Sequence, residues 1–363
     1  MASLFSQGLV ECAKKIEGGK LDAADSLLAV IQSLASKEAS TSTWKVFKYC
    51  AEALVRRTYG IRPPCPSPFI PSLYEPDEYK FDPLYTFSTI TSIHAIDDAL
   101  NSGNKRLHII DFSIRVDFGR WESFIDYHKT QYGSLQSVLI TSIAPKLSKH
   151  YDYLRQTGER ARNKNMELRQ LIWNSPDDIV NCISKLRRKR EDEMMVVNWD
   201  FILHKLLARD GEMEQVLSKV KDLGADIMVI VEQEANLNSP DLLKRLEQSF
   251  QYYSTIFESL EKTYHTEALW EIYFRRQIGN VVACEGVDRV ERIDSFAQWQ
   301  NRLSQAGFCP VPQHKLKIDL PLSLHEHGIE EEEGHLLLHW HSFPVAVASV
   351  WKFTDPPQFS GGE

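Results

Sequence analysis

The chain has 363 residues, 43% of them hydrophobic, and a formal net charge of −8 at pH 7. This length allows one large or two ordinary domains with a substantial core. The acidic balance argues against a generally basic surface that coats nucleic acid, so any such contact must be local. The six cysteines include no CxxC pair, which indicates free thiols in a reducing, intracellular compartment. No apolar run has the length of a membrane span or a secretory leader, which predicts neither secretion nor a membrane anchor.

The first hundred residues have the apolar spacing of helices. Residues 9–17 and 21–35 predict a helical hairpin broken by adjacent glycines, and 44–59 predicts a third helix. A proline-rich stretch at 62–76 excludes continued helix, and 89–100 predicts a fourth helix. Residues 1–100 therefore predict a helical cap, and we expect that further cap helices can be inserted in the core.

From residue 101 onward, short apolar runs alternate with helical stretches, which is typical of parallel βαβ units. The last two apolar runs, 335–340 and 346–353, predict an antiparallel hairpin that closes the sheet. The fold class is therefore α/β, with a methyltransferase-like Rossmann core, a mostly parallel sheet and a C-terminal antiparallel hairpin over residues 101–353. Residues 354–363 are expected to form a flexible tail. The five predicted parallel strands are 107–111, 137–142, 168–173, 194–198 and 226–231.

The loop after the first strand lacks the glycines that a cofactor needs. Ser113 and Arg115 fill the positions where a dinucleotide or S-adenosylmethionine loop has glycine, so their side chains would crowd the cofactor. The end of the second strand, 140–144, offers no carboxylate for a ribose. We therefore expect no cofactor and no catalytic residue. A faint methyltransferase-like pattern at 198–201 keeps S-adenosylmethionine-dependent methyl transfer as an alternative. Its competing interpretation is a strand end capped by Asn198 or Asp200.

Two acidic residues and four histidines are further candidates for a site. Glu232 and Glu234 flank the carboxyl end of the fifth strand, where they suggest catalytic carboxylates or anchors for backbone N–H groups; the second role is expected. Paired histidines at 325–327 and 339–341 lack a cysteine or acid that completes a known metal spacing. We therefore expect no metal.

Several long strings, in order along nearly the whole chain, resemble the GRAS family of plant regulators. Residues 9–59 resemble its first leucine-heptad block, and other strings resemble its VHIID, PFYRE and SAW blocks. The chain departs from the family pattern at Arg120, where glutamine is usual before the tryptophan, and at His339, where glycine is usual. The strings are LHIID (107–111), VVNWDFILHKLL (196–207), VEQEANLNSP (231–240), YYSTIFESLE (252–261), IGNVVACEGVDRVER (278–292), WQNRLSQAGFCPVP (299–312) and the end bearing Trp340 and Trp351.

The resemblance implies a scarecrow-like transcriptional regulator that works in the nucleus and is not an enzyme. It further implies association with other GRAS proteins, as homodimers or heterodimers, and with zinc-finger or other DNA-binding transcription factors. Promoter DNA would then be reached indirectly, with direct contact an open alternative.

Apolar residues provide candidate partner-binding positions. Leu203, Leu206 and Leu207 form an LxxLL box, which either docks into a groove of a partner or forms the core face of a helix. Leu27 and Ile31 lie on cap helices that carry more apolar surface than a short hairpin can hide, so they face either the core or a partner.

Basic residues provide the remaining candidates. A compact run containing Lys185, Arg187, Arg188, Lys189 and Arg190 is interpreted as a nuclear-import signal or as a solvated helix end. Direct DNA contact would use a second group, whose helical spacing cannot place all members on one face. This group consists of Arg155, Arg160, Arg162, Lys164 and Arg169.

Overall fold

A computed structural model of the chain describes residues 2–37, 42–61, 83–100, 106–113, 119–132, 135–145, 166–173, 176–188, 190–263, 268–314, 324 and 326–353. Within these ranges, no helix is both long and apolar enough to cross a bilayer. The predicted tail, 354–363, lies outside the described residues.

The elements alternate along the chain as the sequence predicts. The described helices are α1 (Ala2–Glu17), α2 (Leu21–Lys37), α3 (Ser42–Thr58), α4 (Pro83–Ala99), α5 (Gly119–Tyr132), α6 (Pro176–Ser184), α7 (Glu212–Leu223), α8 (Leu242–Thr263), α9 (Ala268–Ala283) and α10 (Phe296–Gln305). The strands are β1 (Arg106–Ser113), β2 (Ser137–Pro145), β3 (Met166–Trp173), β4 (Glu193–Asp200), β5 (Ile227–Gln233), β6 (Phe308–Val311), β7 (His327–Glu332), β8 (His335–Trp340) and β9 (Phe343–Phe353). Short 3-10 helices occupy Leu203–Ala208 and Gly286–Asp288.

The strands form one twisted layer in the order β3-β2-β1-β4-β5-β9-β8-β7, and β6 also pairs with β9. Strands β1 to β5 are parallel, and β9 joins β5 antiparallel. The predicted α/β class and its C-terminal hairpin are thus confirmed. The hairpin turn between β8 and β9 has only two residues, and His341 adopts a φ of 53° there.

Apolar packing joins the cap to the sheet. One core cluster contains buried residues of α1, α2, α3, α8 and α9 together with residues of β8 and β9. Helix α3 packs against both α8 and α9, although more than 180 residues separate it from α8 in sequence. Residues of α8 and α9, inserted in the second half of the chain, therefore complete the helical cap. A second cluster packs α6, α7 and α10 on the sheet.

Helix α4 begins earlier than predicted. It starts at Pro83 rather than near residue 89, because proline is accepted in the first turn of a helix, where its missing N–H costs no hydrogen bond. The helix packs against β4, β5, β9 and α5. This position brings its serines over the carboxyl ends of the central strands.

Candidate functional site

Strand order reverses between β1 and β4, which are neighbours in the sheet although β2 and β3 come between them in sequence. In open parallel sheets, ligands bind in the crevice at this point, beyond the carboxyl ends of the strands. The register pairs Asp111 with Asn198 and Ser113 with Asp200 at that edge. Two buried carboxylates therefore lie where a cofactor-binding enzyme would hold its ligand.

Arg120, in the first turn of α5, fills this crevice. Its Nη2 donates to both carboxylate oxygens of Asp111, at 3.0 and 3.1 Å, and its Nη1 donates to Asp200 Oδ2 at 2.9 Å. All three side chains are at most 3% exposed. The guanidinium thus bridges the ends of β1 and β4, with one nitrogen on each carboxylate.

Hydroxyl and amide groups complete the network. Ser88 and Ser113 each donate to one oxygen of Asp200 at 2.7 Å. Asn198 donates to Asp111 Oδ1 at 2.8 Å and accepts from Ser92 at 2.9 Å. The network therefore ties α4, α5, β1 and β4 together. We call it the Arg120 network.

The Arg120 network leaves the crevice occupied by protein groups. Burial raises the pKa of Asp111, while Arg120 and the Asn198 amide act in the opposite direction. Asn198 and Asp200 do not cap the following helix, as one interpretation of the sequence predicts; both bind side chains inside this network, which corrects that interpretation. Ser113, at a position where a cofactor loop needs glycine, is buried and donates into the same network. Arg115 lies outside the described residues.

A second buried polar cluster begins at the end of β5. Glu232 Oε1 accepts the backbone N–H groups of Leu203 and His204, at 2.6 and 3.2 Å. Glu234 Oε2 accepts the N–H of Phe296, the first residue of α10, at 2.8 Å. Burial, partly offset by that N–H, raises the pKa of Glu234 to about 7. The expectation that both acids anchor backbone N–H groups is confirmed.

His204 is held between two carboxylates. Its Nδ1 lies 2.8 Å from Glu232 Oε2, and its Nε2 lies 2.8 Å from Glu291 Oε2. Lys205 forms an ion pair with the other oxygen of Glu291. Burial alone would lower the pKa of His204, but the two carboxylates outweigh it and raise the pKa to about 9. Burial would raise the pKa of Glu291, yet Lys205 and His204 hold it well below its usual range.

Glutamines link this cluster, which we call the His204 cluster, to the cap. Gln277 of α9 donates to Glu291 Oε2 at 3.0 Å, and Gln277 and Gln233 exchange hydrogen bonds of 2.9 and 3.1 Å. All these groups are buried and mutually satisfied. Such a cluster can fix loops and couple the cap to the sheet.

The GRAS domain family matches residues 5–352. The chain belongs to the GRAS domain family. The DELLA protein GAIP of Cucurbita maxima is 36% identical across 96% of this chain and 62% of its own length. The DELLA protein GAI of Arabidopsis thaliana is 35% identical across 95% of this chain and 67% of its own length.

A solved structure supports the same architecture for this GRAS chain. The crystal structure of SCL7 in Oryza sativa has a TM-score of 0.73, with 22% identity, and the match covers 96% of this chain and 99% of that one. At this identity the likeness concerns the fold. The GRAS chain spans somewhat under two thirds of the length of the DELLA proteins GAIP and GAI1 that it matches.

The LxxLL box of the GRAS chain is part of the core. Leu203 and Leu206 are buried in the second apolar cluster, and Leu207 is half-buried against it. The three residues lie on the 3-10 helix that follows β4, whose N–H groups bind Glu232. The docking hypothesis for Leu203, Leu206 and Leu207 is corrected, because two of the leucines have no exposed face.

The two cap candidates differ in exposure. Ile31 is 4% exposed and packs beside Gly8 of α1, whereas Leu27 is half-buried against the cap core. Ile31 therefore faces inward, which corrects its proposed role as a partner contact. The neighbouring Val30 is 56% exposed.

The basic run begins directly after α6, which ends at Ser184, and continues into the connection to β4, so the alternative of a solvated helix end stays open. Lys185, Arg187, Arg188 and Arg190 are exposed, and Lys189 lies outside the described residues. Arg188 is committed to the fold. It donates to the carbonyl of Glu193 and the carboxylate of Asp226, at 2.5 and 2.8 Å, and also to a neighbouring carbonyl.

Only one DNA-contact candidate falls among the described residues. Arg169 lies on β3 and forms an ion pair with Glu167 at 3.4 Å. Arg155, Arg160, Arg162 and Lys164 lie outside them. The proposed basic surface therefore stays a prediction.

Sequence reasoning missed the roles of Arg120, His204 and Glu291. A signal existed for Arg120, since arginine departs there from the glutamine usual in the family. For His204 the sequence shows only its place inside the LxxLL box, and its partner Glu291 lies 87 residues away along the chain.

Proposed function

We propose that this GRAS chain is a nuclear transcriptional regulator, not an enzyme. It works by association with DNA-binding transcription factors and other GRAS proteins. The observation that carries the non-enzymatic part is the Arg120 network, whose guanidinium occupies the crevice between β1 and β4. The regulatory part is supported by membership of the GRAS domain family across residues 5–352.

Association with partners is favoured over direct DNA binding by the charges. The chain is acidic overall, and the one described DNA-contact candidate, Arg169, is paired with Glu167. Duplex DNA requires several unpaired cations along a phosphate track. Zinc-finger or other DNA-binding factors would supply that contact, and the GRAS chain would act on transcription through them.

A tethering experiment tests the regulatory role. The chain is fused to an unrelated DNA-binding domain and expressed in plant cells with a reporter that carries the matching site. We expect reporter output to change relative to the DNA-binding domain alone, in either direction. Unchanged output, together with no co-purification of zinc-finger or GRAS proteins from nuclei, contradicts the proposal.

Methyl transfer is the second candidate, and calorimetric titration with S-adenosylmethionine tests it. We expect no heat of binding at about millimolar ligand, because Arg120 binds the two carboxylates at the ends of β1 and β4 where a cofactor would lie. Micromolar affinity would restore the enzymatic alternative. A mobility-shift selection with the purified chain and random duplexes tests direct DNA contact in the same preparation.

A further inference from the structure

Helices α3 and α9 of the cap are separated at the surface by an open groove of about 320 Å³. Helix α3 contributes Ala53 and Arg56 to its walls, and α9 contributes Ile272 and Arg276. An adjoining depression continues past Arg56 to Ile61, at the end of α3. We call the two together the cap groove. From Tyr49 to Thr58, where the helix ends, the groove follows α3 for about 14 Å, between two and three helical turns.

The 320 Å³ section of the cap groove carries a net positive charge, although the protein is acidic overall. Three arginines and one glutamate line the 320 Å³ section, and Arg275 is paired with that glutamate, Glu52, at 2.8 Å. Within the described part of the chain, the guanidinium groups of Arg56 and Arg276 have no ion pair and no hydrogen bond to another residue. Two guanidinium groups that line one groove and have no partner among the described residues attract carboxylates.

The cap groove also has an apolar component. Ile272 is 43% exposed in its wall, and Ile61 is 53% exposed at its far end. Single exposed aliphatic residues are ordinary, but here two of them lie along one groove beside unpaired arginines. A ligand that satisfies both features needs carboxylates and at least one aliphatic or aromatic side chain.

We propose that the cap groove binds a short acidic segment of a partner protein, with carboxylates on Arg56 and Arg276 and an apolar side chain against Ile272. The proposal rests on the proposed function, action through partner proteins, and identifies the cap groove as a surface that binds one of them. An open groove between two helices can accept either a helical or an extended peptide.

Nucleic acid fits the cap groove less well. A phosphate backbone presents continuous negative charge and no apolar side chain for Ile272. Acidic residues also line the groove's extension, where Glu17 and Glu285 flank Arg57. Their carboxylates repel phosphates beyond the two unpaired arginines, whereas a short peptide can place its charges locally.

Fluorescence anisotropy with the full chain tests the proposal. The probe is a peptide of about twelve residues, three turns of helix, with acidic residues around a leucine and a tryptophan and a neutral dye. The control peptide has amides in place of the carboxylates. We expect binding of the acidic peptide that weakens as salt is added, and at least about tenfold weaker binding of the amide peptide.

Charge reversal locates the site. Arg56→Glu with Arg276→Glu is expected to weaken binding at least about tenfold, and Ile272→Ser to weaken it several-fold. The matched control, Arg187→Glu with Lys352→Glu, makes the same change in net charge at exposed positions elsewhere and should bind as the parent chain does. Circular dichroism and urea unfolding verify that each variant is folded.

Three results overturn the proposal. The first is that the acidic peptide does not bind, and the second is that the groove variant binds the peptide with the same affinity as the control variant. The third is that duplex DNA displaces the peptide when phosphate and carboxylate concentrations are equal. The tethered reporter separates this failure from failure of the proposed function. Reporter output that still changes while the peptide does not bind leaves regulation standing and removes only the cap groove.

Discussion

Arg120 and Asp111 form a bidentate ion pair at the point where the strand order of the sheet reverses, with both side chains at most 3% exposed. Asp200 lies on the other side of the same guanidinium. One buried cation therefore compensates two buried carboxylates. Because charges in a low-dielectric interior are costly when unpaired, this arrangement makes Arg120 a sensitive position.

Arg120→Leu is expected to destabilise the fold by about 3–5 kcal/mol, because it leaves Asp111 and Asp200 buried without their cation. Urea unfolding measures the change in the free energy of unfolding. Arg169→Leu removes an exposed ion pair with Glu167 and should cost less than about 1 kcal/mol. The two variants lose the same charge, so equal effects would contradict the role of burial.

The loss in the free energy of unfolding caused by Arg120→Leu should also depend on pH. Burial already raises the pKa of Asp111, and loss of the guanidinium removes a group that lowers it. A carboxyl group whose pKa is raised in the folded state destabilises the folded protein at high pH, and this destabilisation becomes smaller as the pH falls. The difference from the parent chain should therefore be smaller near about pH 5 than at neutral pH. A difference that is constant between these pH values would argue against unpaired carboxylates as its cause.

The sequence predicts the central strands well because their signal is local. Four of the five parallel strands contain a mainly apolar run of strand length, β3 being more polar, and the last two runs form the predicted hairpin. Strand β7 was missed because its residues include consecutive glutamates, which suit an exposed edge strand but give no alternating apolar pattern. Helix α9 was missed as well; it is in contact with both α3 and α8, so apolar residues occur on more than one of its faces.

The site was less predictable than the fold. Missing glycines at Ser113 and Arg115 indicated that a cofactor loop was absent, but no local pattern indicated what fills the crevice. Arg120 and Asp200 are 80 residues apart, so their pairing depends on the tertiary structure. The LxxLL box shows the opposite error. Its spacing is compatible with a docking helix, and only the burial of Leu203 and Leu206 decides against it.

The His204 cluster predicts loss of stability in alkali. The folded-state pKa of His204 is raised from 6.5 to about 9, so its stabilising charge is fully present below about pH 6.5 and is lost as pH rises through 9. The expected loss is on the order of 3 kcal/mol. Urea unfolding across this window should show a falling free energy of unfolding in the parent chain.

His204→Gln should flatten that pH dependence and cost about 3–5 kcal/mol at neutral pH, since Glu232 and Glu291 lose the cation between them. His94→Gln is the matched control, because His94 is partly exposed beside Asp98. The explanation fails if the parent chain and His204→Gln lose stability in parallel between these pH values.

Nuclear import should depend on the exposed members of the basic run. Replacing Lys185, Arg187 and Arg190 with alanine in a fluorescent fusion too large to diffuse through nuclear pores should shift signal to the cytoplasm. Arg188 is left intact because it binds Glu193 and Asp226. The control replaces Lys20, Lys244 and Lys352, which are also exposed. Nuclear signal equal in both triple variants would leave the run as a solvated surface.

Adjacent positions on α2 provide the sharpest test of how the cap is built. Ile31→Asp places a charge at a position that is 4% exposed and packed beside Gly8, so it should cost about 3 kcal/mol or more and loosen α1 and α2. Val30→Asp makes the same change in charge one residue earlier, at a position that is 56% exposed, and should cost less than about 0.5 kcal/mol. Circular dichroism and urea unfolding measure both effects, and light scattering reports the oligomeric state. If Ile31→Asp gives a folded chain of unchanged stability that has merely lost a partner or a dimer, Ile31 faces outward and the assignment of α2 to the cap core is wrong.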